Sequence, residues 1–157
     1  MQYTRRHFLK TSAGGAALLA MAAAGLVPVS ALAAEFVENR AAFKGKTLDE
    51  VVKALGGNAA QKSDQIVLKA PEIAENGATV PVEITSKLPG TKMIAILSEK
   101  NPHALSAEFQ IPDGTEPYIS TRVKVAETSK LYALVQTDQG YFYTDQVVKV
   151  TLGGCGG

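Results

Sequence analysis

Leu105-Ser106-Ala107-Glu108-Phe109-Gln110-Ile111 and, further on, Ile119-Ser120-Thr121-Arg122-Val123-Lys124-Val125 alternate between apolar or β-branched side chains and polar ones. Successive side chains of an extended strand point to opposite faces, so a period of two describes strands with one buried and one wet face. The pattern continues on both sides. Val80, Val82 and Ile84 alternate with Pro81, Glu83 and Thr85, Ile66 to Lys69 is a short β-rich run, and Met93 to Leu97 is continuously apolar. Pro81 has no N–H to donate, which places it on an edge strand or where its N–H would face outward. Leu131–Thr137 and Tyr141–Thr144 flank Asp138-Gln139-Gly140, a hairpin signal with a glycine for the left-handed position. Val148, Val150 and Leu152 finish the sheet. Turn chemistry falls between the runs at Asn76-Gly77, Leu88-Pro89-Gly90 and Pro112-Asp113-Gly114.

Seven or eight short strands with no helices between them cannot make parallel crossovers. The expected fold is therefore all-β, an antiparallel immunoglobulin-like sandwich over residues 65–152. The chain has no Trp and a single cysteine, so the inter-sheet disulfide and its tryptophan are absent and the likeness is one of architecture. Ahead of the strands, residues 34–64 read as a lead-in with one short helix. Leu48, Val51, Val52 and Leu55 share one helical face, Thr47 and Glu50 form a capping pair, and Gly56-Gly57 supplies the stop. Ala34 to Lys46, with Phe36, Val37 and Phe43 but no sustained period, reads as a mobile or partner-contacting segment, and Asn58 to Asp64 reads as a linker.

The first 33 residues are an address and not part of the fold. Thr4-Arg5-Arg6-His7-Phe8-Leu9-Lys10 is a twin-arginine export signature, followed by a stretch rich in Ala and Gly. Ala31-Leu32-Ala33 is a small-x-small cleavage site, which predicts a mature periplasmic chain beginning at Ala34. Glycines at 14, 15 and 25 make the stretch too weakly apolar for a bilayer-spanning helix. Because the twin-arginine route moves folded cargo, a bound cofactor or a bound partner is implied. No cofactor motif is present, which favours the partner.

Loss of Arg5, Arg6 and Lys10 lowers the 16 Lys plus Arg to 13, against 15 Asp plus Glu, a net charge near −2. Without a basic run, nucleic acid and anionic membrane drop out as partners. In an exported protein an odd cysteine points to intermolecular pairing or to a reactive thiol.

That cysteine is Cys155, in the ending Gly153-Gly154-Cys155-Gly156-Gly157. Glycine on both sides removes bulk that would obstruct a narrow channel and permits backbone angles closed to other residues. Three residues from Leu152 give a reach of roughly 10 Å, so the thiol can be presented to a cleft on another protein. A free cysteine titrates near 8.5, at about a few per cent thiolate at neutral pH. Activation is then expected from whichever enzyme receives the arm. A disulfide dimer through Cys155, on an exported scaffold, is the competing use of the same residue.

Other chemistry has little to build on. The mature chain has one histidine, His103, in Asn101-Pro102-His103; it reads as a base for Cys155 or as a solvated loop residue. Three protein ligands are the usual minimum for catalytic zinc, so no metal site is expected. There is no haem-attachment motif, nucleophile elbow or phosphate loop. Glu72 and Glu75 could pose as paired carboxylates, though a solvated turn accounts for them. The terminal Gly-Gly also resembles ubiquitin-like sulfur carriers, but those are smaller α+β domains activated by ATP in the cytosol.

Taken together, the twin-arginine leader, Lys69-Ala70-Pro71-Glu72-Ile73-Ala74-Glu75-Asn76-Gly77, Ile94-Ala95-Ile96-Leu97, Tyr118-Ile119-Ser120-Thr121-Arg122 and the ending Val150-Thr151-Leu152-Gly153-Gly154-Cys155-Gly156-Gly157 resemble the SoxY family. These are sulfur-carrier subunits of the periplasmic thiosulfate-oxidising Sox system. The resemblance spans roughly Gln65 to Gly157 plus the leader. It implies a non-catalytic carrier without cofactor, with Cys155 as the covalent attachment point and Gly153, Gly154, Gly156 and Gly157 as a swinging arm. It further implies a SoxZ-like β-sandwich subunit as the heterodimer partner. The transient partners would be a c-type cytochrome, a sulfate-releasing metal hydrolase and a sulfur dehydrogenase.

Overall fold

Each alternating stretch becomes a strand close to where the sequence places it. In the computed structural model residues 40–151 are described; the export signal with Arg5 and Arg6, residues 34–39 and the ending from Leu152 lie outside the described residues. A short 3-10 turn (Ala42–Lys44) is followed by helix α1 (Leu48–Ala54). Nine strands come next: β1 (Ala60–Lys62), β2 (Ile66–Lys69), β3 (Ile73–Ala74), β4 (Val80–Ser86), β5 (Thr91–Ser98), β6 (Leu105–Gln110), β7 (Tyr118–Val123), β8 (Ser129–Thr137) and β9 (Gly140–Val150).

The strands form two sheets. The larger runs β1-β9-β8-β5-β6 with β3 also on β9, and the smaller runs β2-β4-β7. Ile84, Val82 and Val80 of β4 meet Ile94, Ile96, Leu131, Val135 and Val148 of the larger sheet in the core between them. The expected all-β immunoglobulin-like sandwich is thus present, with one short helix ahead of it.

Two short strands depart from the antiparallel expectation. β1 and β3 both pair with β9 in parallel, Ala60 opposite Tyr141 and Ile73 opposite Lys149. A parallel pair needs a long connection, and here most of the sandwich, rather than a helix, supplies it. The stretch expected as a linker, Asn58 to Asp64, therefore contains an edge strand. Pro81 also sits differently from an edge reading. β4 is the central strand of the smaller sheet, but Pro81 lies in the part that runs past β2, whose pairing stops at Lys69 opposite Glu83.

The continuous run Met93–Leu97 is apolar throughout because β5 is covered on both faces. Ile94 and Ile96 enter the inter-sheet core, while Met93, Ala95 and Leu97 lie beneath Val51 and Val52 of α1. Burying a valine side chain fully is worth about 1.5–3 kcal/mol, and both valines are wholly buried. The helix begins with the Thr47 Oγ1 accepting from the Glu50 N–H at 3.2 Å, while the Glu50 carboxylate accepts from the Lys46 N–H at 2.8 Å. It ends in a Schellman turn, with Gly57 N–H to Val52 C=O at 2.8 Å and Gly56 N–H to Lys53 C=O at 3.0 Å. Gly56 takes φ +87° there. The Tyr141 hydroxyl donates to the Leu55 carbonyl at 2.7 Å and ties the helix end to the larger sheet. Ala42 is buried in the same outer core, so the end of the lead-in belongs to the fold.

Candidate functional site: the end of the sandwich that roots the arm

Cys155 and its four glycines lie outside the described residues, so the site within reach is the surface from which they depart. β9 is the longest strand, and its last residues are held on both sides. Lys149 N–H donates to the Glu72 carbonyl at 2.8 Å and Thr151 N–H to the Ala74 carbonyl at 3.1 Å, which fastens β9 to β3. On the other flank Val150 N–H donates to Thr128 Oγ1 at 3.0 Å. Val150 also packs against the inter-sheet core.

Gly77 closes the same corner. Its carbonyl accepts from Val125 N–H at 2.7 Å. A Cβ there would come within 2.4 Å of the Val125 carbonyl oxygen and 2.8 Å of Val150 Cγ1, so only glycine fits. The turn is set by Asn76, whose Oδ1 accepts from Ala78 N–H at 2.9 Å. The loop after β7 is clamped in turn by Asn101, which donates from Nδ2 to the Lys124 carbonyl at 2.8 Å and accepts on Oδ1 from Ala126 N–H at 2.9 Å.

Two hollows open nearby. One, of about 460 Å³, lies between the start of β6 and the end of β7 and is lined by His103, Ser106, Arg122 and Lys124 among others. His103 is exposed at its rim. The other, of about 320 Å³, is lined by Thr47, Leu97, Glu99, Tyr132 and Tyr143. In it the Tyr132 hydroxyl donates to Glu99 Oε1 at 3.3 Å, and the Tyr132 and Tyr143 rings meet edge to face at 6.0 Å. Burial, with the Glu99 carboxylate second, pushes the Tyr132 phenol up to about 12. Glu72 and Glu75 are exposed side chains on the turns around β3, and Glu72 works through its backbone carbonyl.

Among the described residues no three His, Cys, Asp or Glu side chains gather as metal ligands, and no helix is long and apolar enough to cross a membrane. Sequence reading overlooked Thr128, Gly77 and the β3 staple. Only Asn76-Gly77 carried a signal, as a turn; the contacts that set it beside the end of β9 are long-range.

Comparison with known proteins bears directly on this end of the chain. The family model described as sulfur oxidation protein SoxY matches residues 51–155 and so takes in Cys155. The chain belongs to the SoxY family. Its structure is similar to that of the sulfur carrier protein SoxY from Chlorobium limicola f thiosulfatophilum, at 36% identity and a TM-score of 0.60, covering 66% of this chain and 94% of that one. A superoxide reductase (neelaredoxin) from Ignicoccus hospitalis aligns at 17% identity and a TM-score of 0.49, over 55% of this chain and 80% of that one. No curated protein matches. The SoxY match begins inside α1, so the residues before Val51 are not part of it.

Proposed function

We propose that this chain is a covalent carrier of sulfur intermediates in thiosulfate oxidation, with Cys155 as the attachment point and the flanking glycines as its arm. The observation that carries the reading is the SoxY match running through to residue 155 in a chain whose sole cysteine is Cys155. The twin-arginine leader, Arg5-Arg6, agrees with a periplasmic site of action after cleavage at Ala33. On this reading residues 65–152 are the carrier domain, 34–64 its outer cover and 153–157 the arm.

The chemistry asked of the chain is modest. Thiosulfate is joined to the Cys155 thiolate through its outer sulfur, forming Cys–S–S–SO₃⁻ and releasing two electrons to the partner cytochrome. Water then cleaves the S–SO₃ bond on the hydrolase, leaving Cys–S–SH with release of sulfate and a proton. The remaining sulfane is a substrate for a sulfur dehydrogenase. Each step needs the sulfur of Cys155 to enter a different active site, and none needs a base on the carrier itself. A second β-sandwich subunit without its own signal is the expected stable companion, exported as a folded pair.

Intact-mass spectrometry of protein taken from cells oxidising thiosulfate tests the reading. A mixture of sulfane and thiosulfonate adducts that disappears in Cys155→Ser is expected. An unmodified thiol throughout, or thiosulfate oxidation undiminished by Cys155→Ser, refutes it.

A further inference from the structure

β6 closes one end of the larger sheet and β7 one end of the smaller. The hollow of about 460 Å³ opens between them, and its walls are tied together. Asn101, in the loop before β6, holds the segment after β7 through the Lys124 carbonyl and the Ala126 N–H. β6 carries a bulge at the same place. Leu97 pairs with Leu105 and Ile96 with Ala107, which leaves Ser106 over as the extra residue, and a bulge re-aims the side chain it carries. Ser106 lines the hollow, and its Oγ is buried with no hydrogen-bond partner in the chain. A buried hydroxyl in that state is costly unless something outside the chain satisfies it.

The charge on these walls has one sign. His103, Arg122 and Lys124 line the hollow, and none of the lining residues is acidic. Elsewhere Lys62, Lys69 and Lys92 sit beside Asp145, Glu83 and Asp138, whereas Arg122 and Lys124 have no carboxylate partner among the described residues. Residues 34–157 hold more acidic than basic groups, so this corner runs against the charge of the rest. Ala107 and Val123 make part of the wall apolar.

We propose that this hollow is a non-covalent site for a small divalent sulfur oxyanion, thiosulfate before sulfate. The sulfonate oxygens lie toward Arg122, Lys124, His103 and Ser106, and the terminal sulfur lies against Ala107 and Val123. The contact needs no thiol and joins or cleaves no bond, so the inference goes beyond the carrier reading. Charge complementarity selects a small anion over a neutral ligand. The mixed wall then selects among anions. Sulfate presents strongly hydrated oxygen on every side, so an apolar wall removes water from it without return; thiosulfate turns a soft sulfur, a weak hydrogen-bond acceptor, toward that wall.

The test follows amide chemical shifts of the isotope-labelled Cys155→Ser protein, with any companion subunit in place, as sodium thiosulfate or sodium sulfate replaces sodium chloride at constant ionic strength. Thiosulfate should move the amides of Ser106, Ala107, Arg122 and Val123 and saturate with a Kd on the order of 1 mM. Sulfate should act on the same amides severalfold more weakly. Exposed charge pairs are individually modest, so Arg122→Gln and Lys124→Gln should each weaken thiosulfate about threefold, and together about tenfold. Ser106→Ala should weaken it as well, and amides outside the hollow report that each variant is folded. Lys130→Gln removes an exposed cation that does not line the hollow and should bind as the parent does. Shifts that never saturate overturn the proposal, as do equal affinities for sulfate and thiosulfate. So do Arg122→Gln or Ser106→Ala binding as the parent, or Lys130→Gln losing as much as Arg122→Gln. None of these outcomes concerns an adduct on Cys155, which mass spectrometry tests separately.

Discussion

Replacing Gly77 by alanine tests whether the end of β9 is packed as described. The new Cβ would stand 2.4 Å from the Val125 carbonyl oxygen and 2.8 Å from Val150 Cγ1. Neither neighbour can step aside cheaply. The first is backbone whose own N–H donates to the Gly77 carbonyl at 2.7 Å, and the second packs against the inter-sheet core. Overpacking of a well-filled site costs about 1–3 kcal/mol. For a domain of this size that lowers Tm by roughly 5–15 °C. Gly114→Ala serves as the contrast, since Gly114 has φ +78° but nothing within 4 Å of its Cβ position. Its cost is backbone strain alone, remote from β9. Thermal unfolding followed by circular dichroism, with amide shifts of Val125 and Val150, reads both variants. Removing the second clash in Gly77→Ala/Val150→Ala should return only part of the loss, because the Val125 carbonyl remains in the way. A Gly77→Ala protein melting within a degree of wild type, with those two amides unmoved, would refute the packing argument.

Thr47→Ala removes the acceptor for the Glu50 N–H and should lower stability by about 1 kcal/mol in urea titration. Thr128→Val leaves Val150 N–H without its acceptor at 3.0 Å; the Val150 amide should exchange roughly fivefold faster, equivalent to about 1 kcal/mol, while the melting temperature stays put. Tyr132, pushed up to about 12 in the fold, ionises near 10 when unfolded, so its contribution is whole below pH 10 and lost as pH rises toward 12. Tyr132→Phe should flatten the alkaline fall in urea midpoint between about pH 10 and 11.5, and an unchanged slope would discount the burial of that phenol.

Most of the sandwich was legible because its strands carry the period of two where one face is wet. β2, β4, β6 and β7 begin and end within two residues of the alternating runs, and Gly90, Gly114 and Gly140 take the positive φ their turns demanded. Legibility failed where a tertiary neighbour, rather than local pattern, decides the conformation. Asp145-Gln146-Val147 interrupts the apolar alternation, yet β9 runs through it unbroken. Lys62 of β1 reaches Asp145 at 2.6 Å and Gln146 Nε2 donates to the Ala70 carbonyl at 2.8 Å, so the polar residues are partnered in place. β1 and β3 are two or three residues long and exist only because β9 offers an open edge. The helix was readable from its cap and spacing, but the sheet beneath it was not, since a continuous apolar run names no face. Of the candidate site, Cys155 and its flanking glycines can be picked out in the sequence as the proposed attachment point, while the contacts of Thr128 and Gly77 are products of register.

On the proposed carrier reading, the way β9 is finished has a thermodynamic consequence for delivery. Fixing one residue of backbone costs about 1–2 kcal/mol, so every residue that frays at the arm's root adds to what a client must supply when it orders the chain. The β3 staple, the Thr128 acceptor and the Gly77 corner hold the chain as far as Thr151. In the sequence beyond it, Leu152 precedes Gly153-Gly154-Cys155-Gly156-Gly157, whose four glycines bring no side chain to bind. An arm of this composition can supply reach but hardly affinity. What selects the correct client then acts through the rigid body of the sandwich and not through those glycines.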